Sequence, residues 1–332
     1  MTDNKGITGG GLKIIAIVAM FIDHFAAIFL TYCFNSKLPD NFAFLKQAGT
    51  TAEWFSQNPG ILVLYFVITI LRAVGRFGFP IFAFLLVEGF THTRSVPKYA
   101  RNLFIFALVS ELPFNLGFRQ KIFAPDYQNV FFTLFLALVT IWAIRDFAEN
   151  RTWSEKLKVL FYPACFAAGV VATVLFKRCA YKKYLSYAYS DIKFWAVAAV
   201  VGVCVTAFMA FISMKWDADL KNRITFTIIP ICIGTAAGVA LATDYNGWGV
   251  LAIVTMYLFK KDPIKGFAIS CLVLTIYNSS EVYAFLILPV VMKYNGKRGI
   301  NLKYFFYAFY PVHILIIYLI TYACGYARFA IR

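Results

Sequence analysis

The sequence predicts an all-α, polytopic integral membrane protein, and three observations carry that prediction. Hydrophobic residues fill 61% of 332 positions and charged residues only 14%, with mean hydropathy +0.70. Apolar runs recur at close to ~20 residues, the length that carries a helix across about 30 Å of hydrocarbon. Basic residues gather in the short polar stretches between those runs, as residues that set topology do. The expected count is about ten or eleven transmembrane helices in a single membrane-embedded domain over residues 1–332. The net charge of +16 is explained by those loops. No basic stripe is interleaved with exposed aromatics, so a nucleic-acid partner is not expected.

The elements follow in order. Residues 1–11 read as a polar, glycine-rich tail with Lys5, and the first span, Leu12–Phe34, follows Gly9–Gly11. That span is no cleavable signal: it runs past twenty residues, carries Asp23 and His24, and lacks a small-x-small cleavage site. Residues 35–60 read as a polar outer loop. Residues 61–71 read as a half-span or an interfacial helix leading into a second span, Arg72–Phe90. A basic turn over 91–101 leads to a span at 102–118, which holds Glu111 and Pro113, and Asn129 opens the next at 129–144. Further spans are expected at 157–176, 192–213, 224–243, 247–259, 266–278, 282–292 and 303–323. The loop Lys177–Lys193 is basic yet falls on the outside when the N-terminus is cytoplasmic, so the charge bias favouring a cytoplasmic N-terminus is moderate. The seven cysteines, Cys179 among them, are scattered without a CxxC. They read as structural filler, and neither a zinc site nor a disulfide framework is expected.

Ionisable residues inside apolar spans are costly and point to function. Arg72 and Arg76, four apart, lie about 40° apart on a continuous helix and point the same way. Glu88 follows twelve residues later, roughly 18 Å along such a helix, too far to pair with Arg76. Asp23 shares a face with the small residues Ala16, Ala19 and Ala26. That face suits helix packing, and Arg72 or Arg76 is the expected partner of the carboxylate. His24 is rotated about 100° from Asp23, so the two neighbours do not face each other. A histidine near mid-membrane serves either as a general base or as a group satisfied by hydrogen bonds between helices. The sequence leaves both readings open, and it leaves His313, just after Pro311, undecided.

His92 reads as structural or headgroup-facing. Glu111, two residues before Pro113, either pairs with an arginine or shapes a cavity. The tracts Gln128–Asn129 and Thr243–Gly247 place polar groups where a tunnel mouth could form or where ordinary capping and turns occur. Arg94, Lys98 and Arg101 fall on one side of a helical continuation, where they could clamp phosphates or anchor topology. No P-loop, GxGxxG, HExxH or GxSxG is present.

The tracts IIAIVAMFIDH (14–24), LRAVGRFGFPIFAFLLVEGFTHTRSVPKYARNL (71–103), SELPFNLGF (110–118), QNVFFTLFLAL (128–138), TDYNGWGVLAI (243–253) and FYPVHILIIYL (309–319) together resemble the TraX family, whose namesake acetylates the N-terminus of conjugative pilin. The tracts cover most of 12–145 and 224–323, and 157–213 looks like an extra pair of spans. The phenylalanine-rich span running into a basic turn is also similar to the wider membrane acyltransferase superfamily. The resemblance implies a bacterial cytoplasmic-membrane enzyme that takes acetyl-CoA from the cytoplasm. No metal is expected. The acetyl acceptor would be a peptide or protein N-terminus or a surface glycan. Carried over by position, His24 is the catalytic base, Asp23 its motif partner, and Arg72 and Arg76 the family arginines. Glu88, Glu111, Asn129, Asp244 and His313 fall in the remaining motifs, and Arg94, Lys98 and Arg101 are the expected CoA-phosphate contacts. A transporter of a small anionic or acyl substrate is the alternative, although no inverted repeat is visible. A structural subunit of a secretion or conjugation machine would leave a buried His24 without purpose.

Overall fold

In a computed structural model, residues 6–47, 49–177, 189–300 and 303–328 are described. Lys5, Cys179 and the basic residues Arg178, Lys182 and Lys183 of the expected outer loop lie outside them. The helices are α1 (Gly9–Asn35), α2 (Phe42–Gln47), α3 (Thr51–Gln57), α4 (Pro59–Gly75), α5 (Gly78–His92), α6 (Val96–Arg119), α7 (Val130–Glu149), α8 (Glu155–Lys177), α9 (Ile192–Ile212), α10 (Ala218–Ala240), α11 (Asn246–Leu258), α12 (Pro263–Tyr277), α13 (Ser279–Val291) and α14 (Lys303–Ala323). Among the described residues extended pairing is limited to isolated bridges, Ile7 with Tyr294 and Gln128 with Thr243.

The fold is all-α and polytopic. Among the described residues seven helical stretches are long and apolar enough to cross a membrane, with α4 and α5 counted as one, and α11, α12 and α13 are shorter apolar helices. α6 is 24 residues long but more charged, and it is not among those seven. Large apolar side chains such as Val63, Phe66 and Ile70 on α4 and Val200, Val203 and Phe208 on α9 are exposed. Such faces suit lipid and no aqueous surface.

Three expectations need correction. Arg72–Phe90 is not one helix: α4 ends at Gly75, Arg76 and Phe77 form a turn, and α5 begins at Gly78. Pro80 is the physical cause, because in a continuous helix its ring would strike the carbonyl four residues back, at Arg76. Arg76, the helical cap that closes α4, still follows Arg72 on one side of that helix, as expected, and Glu88 stands on a different helix from both. The region 35–60 is not simple loop, since α2 and α3 lie within it. Residues 6–11 are not a loose tail either. The Ile7 N–H donates to the Lys293 carbonyl, Gly9 to Lys297 and Gly10 to Arg298, each at 2.8 Å. A Cβ at Gly10 would lie 2.8 Å from the Ile300 nitrogen, so this close backbone docking requires glycine. It also supplies acceptors for two of the N–H groups that open α1.

The chain divides into two compact units, the first being 1–82, 108–124 and 283–332 and the second 83–107 and 125–282. In the first, α1 packs on α4 and on α14. A Cβ at Gly117 of α6 would sit 2.9 Å from both Ile28 and Ile314, so that glycine lets α6 close onto α1 and α14. In the second, α8 packs on α9 and α10, and α11 on α7, α10 and α12.

Candidate functional site

Within the first unit, α1 changes character just after Asp23 and His24. It is α-helical to His24, then opens into a π-helical turn over Phe25–Leu30 before resuming at Thr31. Insertions of this kind inside α-helices are frequent at functional sites. The adjacent side chains of Asp23 and His24 leave the helix toward different neighbours.

Asp23 meets α4. Arg72 Nη1 donates to Asp23 Oδ2 at 2.5 Å, while Asp23 Oδ1 is buried without a hydrogen-bond partner among the described residues. A Cβ at Gly75 would overlap the Asp23 carboxylate, so the last residue of α4 must be glycine for the acid to seat there. Arg76, in the turn just beyond, is also close enough to act on Asp23 by charge. The carboxylate and two guanidiniums together leave one net positive charge at this helix crossing.

His24 meets α14. Its Nδ1 lies 2.7 Å from Nε2 of His313, and the two ring planes are parallel within 5°, with centroids 4.9 Å apart. Phe118 of α6 and Tyr310 of α14 present edges to the His24 ring at 5.4 and 5.7 Å. His313 is 4% exposed; its Nδ1 lies 2.6 Å from the Phe309 carbonyl and its ring stacks on Phe309 at 4.6 Å. Arg72 is near enough to influence His24 electrostatically. The His24 imidazole makes no second hydrogen bond among the described residues. The structure thus gathers Asp23, His24, Arg72, Arg76 and His313, and it joins His24 to His313 rather than to Asp23. That pairing was not foreseen; the available signal was that two of only three histidines fall in apolar runs. Glu111 lies in the same unit, partly buried in α6.

The remaining candidates belong to the second unit. Asn129 caps α7: its Oδ1 accepts from the Phe131 N–H at 3.0 Å and its Nδ2 donates to the Ala107 carbonyl at 2.8 Å. Asp244 holds a turn, accepting from the Tyr127 hydroxyl at 2.9 Å and from the Tyr245 N–H at 3.1 Å, while Thr133 donates to its carbonyl. The two polar tracts are thus one interlocked cap and turn. His92 is exposed, and its Nδ1 lies 2.9 Å from the Glu88 carbonyl and 3.7 Å from the Glu88 carboxylate. Lys98 and Arg101 are exposed on α6. Arg94 is exposed too but precedes the helix, so the three do not form the single helical side expected.

A profile of the family described as TraX protein matches residues 8–218 and 206–321. The chain belongs to the TraX family. The match runs through 157–213. The chain is 25% identical over 331 residues to the probable fimbrial assembly protein FimC, serogroup H1, of Dichelobacter nodosus, covering 96% of this chain and 97% of the relative. No solved structure matches.

Proposed function

We propose that this TraX protein is a membrane acetyltransferase that moves acetyl from acetyl-CoA to an amine or hydroxyl acceptor at or beyond the membrane. One observation carries the reading: His24, set among apolar helices, has one ring nitrogen engaged with His313 at 2.7 Å and no second hydrogen bond among the described residues. A half-buried imidazole with a nitrogen in reserve is equipped to take a proton.

In the reaction His24 accepts the acceptor's proton as its nitrogen or oxygen attacks the thioester carbonyl. The tetrahedral adduct carries negative charge on the former carbonyl oxygen. The net positive charge of Arg72 and Arg76 against Asp23 favours that anion. The adduct collapses with loss of the CoA thiolate, which takes the proton from the His24 imidazolium and leaves as the thiol. The exposed Arg94, Lys98 and Arg101 are our candidates for the CoA phosphates, with the cytoplasm as the donor side and the N-terminus on that side. The fimbrial assembly named for the Dichelobacter relative favours a pilin-like peptide N-terminus over a glycan as acceptor.

The test uses the full chain in vesicles that enclose a synthetic peptide with a free α-amine, with radiolabelled acetyl-CoA added outside. Protein-dependent labelling of the peptide is expected. Thioester hydrolysis with an unlabelled peptide would move the acceptor to a hydroxyl compound. Unmodified labelled acetyl-CoA collecting inside would overturn the enzyme in favour of a transporter.

A further inference from the structure

We infer that His313 is a positioning residue that decides which nitrogen of His24 is the base, an inference that rests on the acetyltransferase reading. The argument starts from an atom that can only accept. The Phe309 carbonyl has lone pairs and no hydrogen, and it lies 2.6 Å from His313 Nδ1, so Nδ1 of His313 carries the hydrogen and donates it. In the neutral ring Nε2 of His313 is then bare. Two bare nitrogens 2.7 Å apart would repel, so Nδ1 of His24 must hold a hydrogen and donate it to His313 Nε2. Neutral His24 therefore keeps its lone pair on Nε2 alone. A backbone carbonyl on α14 fixes the tautomer of a residue on α1 through one intervening ring.

Packing holds the relay in register. His313 is clasped by Phe309 at 4.6 Å and faced by the edge of Tyr310 at 6.0 Å. When His24 Nε2 takes the acceptor's proton, the bond from His24 Nδ1 to His313 becomes charge-assisted and strengthens. His313 thus stabilises the imidazolium and holds it in place, the part a buried carboxylate plays in a Ser-His-Asp triad. Asp23 cannot play it, because its carboxylate is turned to Arg72.

The test reads the tautomer directly. With only three histidines, nitrogen-isotope-labelled histidine in membrane-embedded protein, with His92→Gln removing one signal, resolves the pair by magnetic resonance. His24 is expected to carry its hydrogen on Nδ1 in the wild type. His313→Phe should mix the His24 tautomers and lower kcat in the vesicle assay by about 10²–10⁴, with KM for acetyl-CoA nearly unchanged. His313→Gln, which offers an amide oxygen near the same point, should restore the tautomer and most of kcat. A wild-type His24 protonated on Nε2, or a His313→Phe protein whose His24 tautomer is unmoved, would overturn the inference. If His313→Phe does not fold, the wild-type and His313→Gln spectra still decide it. A correct tautomer in a wild-type protein that transfers no acetyl would sink the enzyme reading and leave the pairing intact.

Discussion

Two ionisable clusters sit among apolar helices in this chain, and they are completed in different ways. In the second unit Lys260 Nζ donates to both Glu149 oxygens, at 2.8 and 2.7 Å, and the Tyr257 hydroxyl donates to one of them at 3.0 Å. Arg145 nearby lies over the Phe90 ring at 4.7 Å. Both oxygens of the acid are answered, and the cluster reads as a structural knot. In the first unit, among the described residues, Asp23 has one oxygen bonded and the other buried without a partner, and His24 has one nitrogen bonded and no second bond. Groups left incomplete in apolar surroundings persist when something uses them. The contrast separates a cluster whose groups answer one another from one that, on the proposed reading, is left to bind and react.

Two substitutions sharpen that contrast. Asp23→Asn leaves Arg72 without its counter-charge, so a loss of about 3 kcal/mol is expected, seen as a lower thermal midpoint in detergent, with Arg72→Met in the same chain recovering part of it. An unchanged midpoint would make the ion pair incidental. Glu149→Gln weakens a pair whose side chains are 33% and 32% exposed, so about 1 kcal/mol is expected, with acetyl transfer untouched. A loss of transfer in Glu149→Gln would erase the distinction between the clusters.

What the sequence disclosed follows from the range of each interaction. The apolar runs made the helices legible, and the small residues around Asp23 made its face legible, down to an arginine partner. The break at Arg76–Phe77 was signalled by Pro80 but masked by unbroken hydrophobicity on both sides. The docking of residues 6–10 onto 293–298 and the His24–His313 bond join positions almost a whole chain apart. No local periodicity in one sequence reports such a contact. The capping role of Asn129 and the turn role of Asp244 were among the readings the sequence left open, and only their partners, Phe131 and Tyr127, decide between them.

The most direct measurement compares His24→Ala with His92→Ala for acetyl transfer in the vesicle assay, both proteins first shown to be folded by their thermal midpoints. The expected result is a fall of about 10²–10⁴ for His24→Ala and wild-type turnover for His92→Ala, whose ring is exposed on α5. Wild-type turnover by folded His24→Ala would contradict the account.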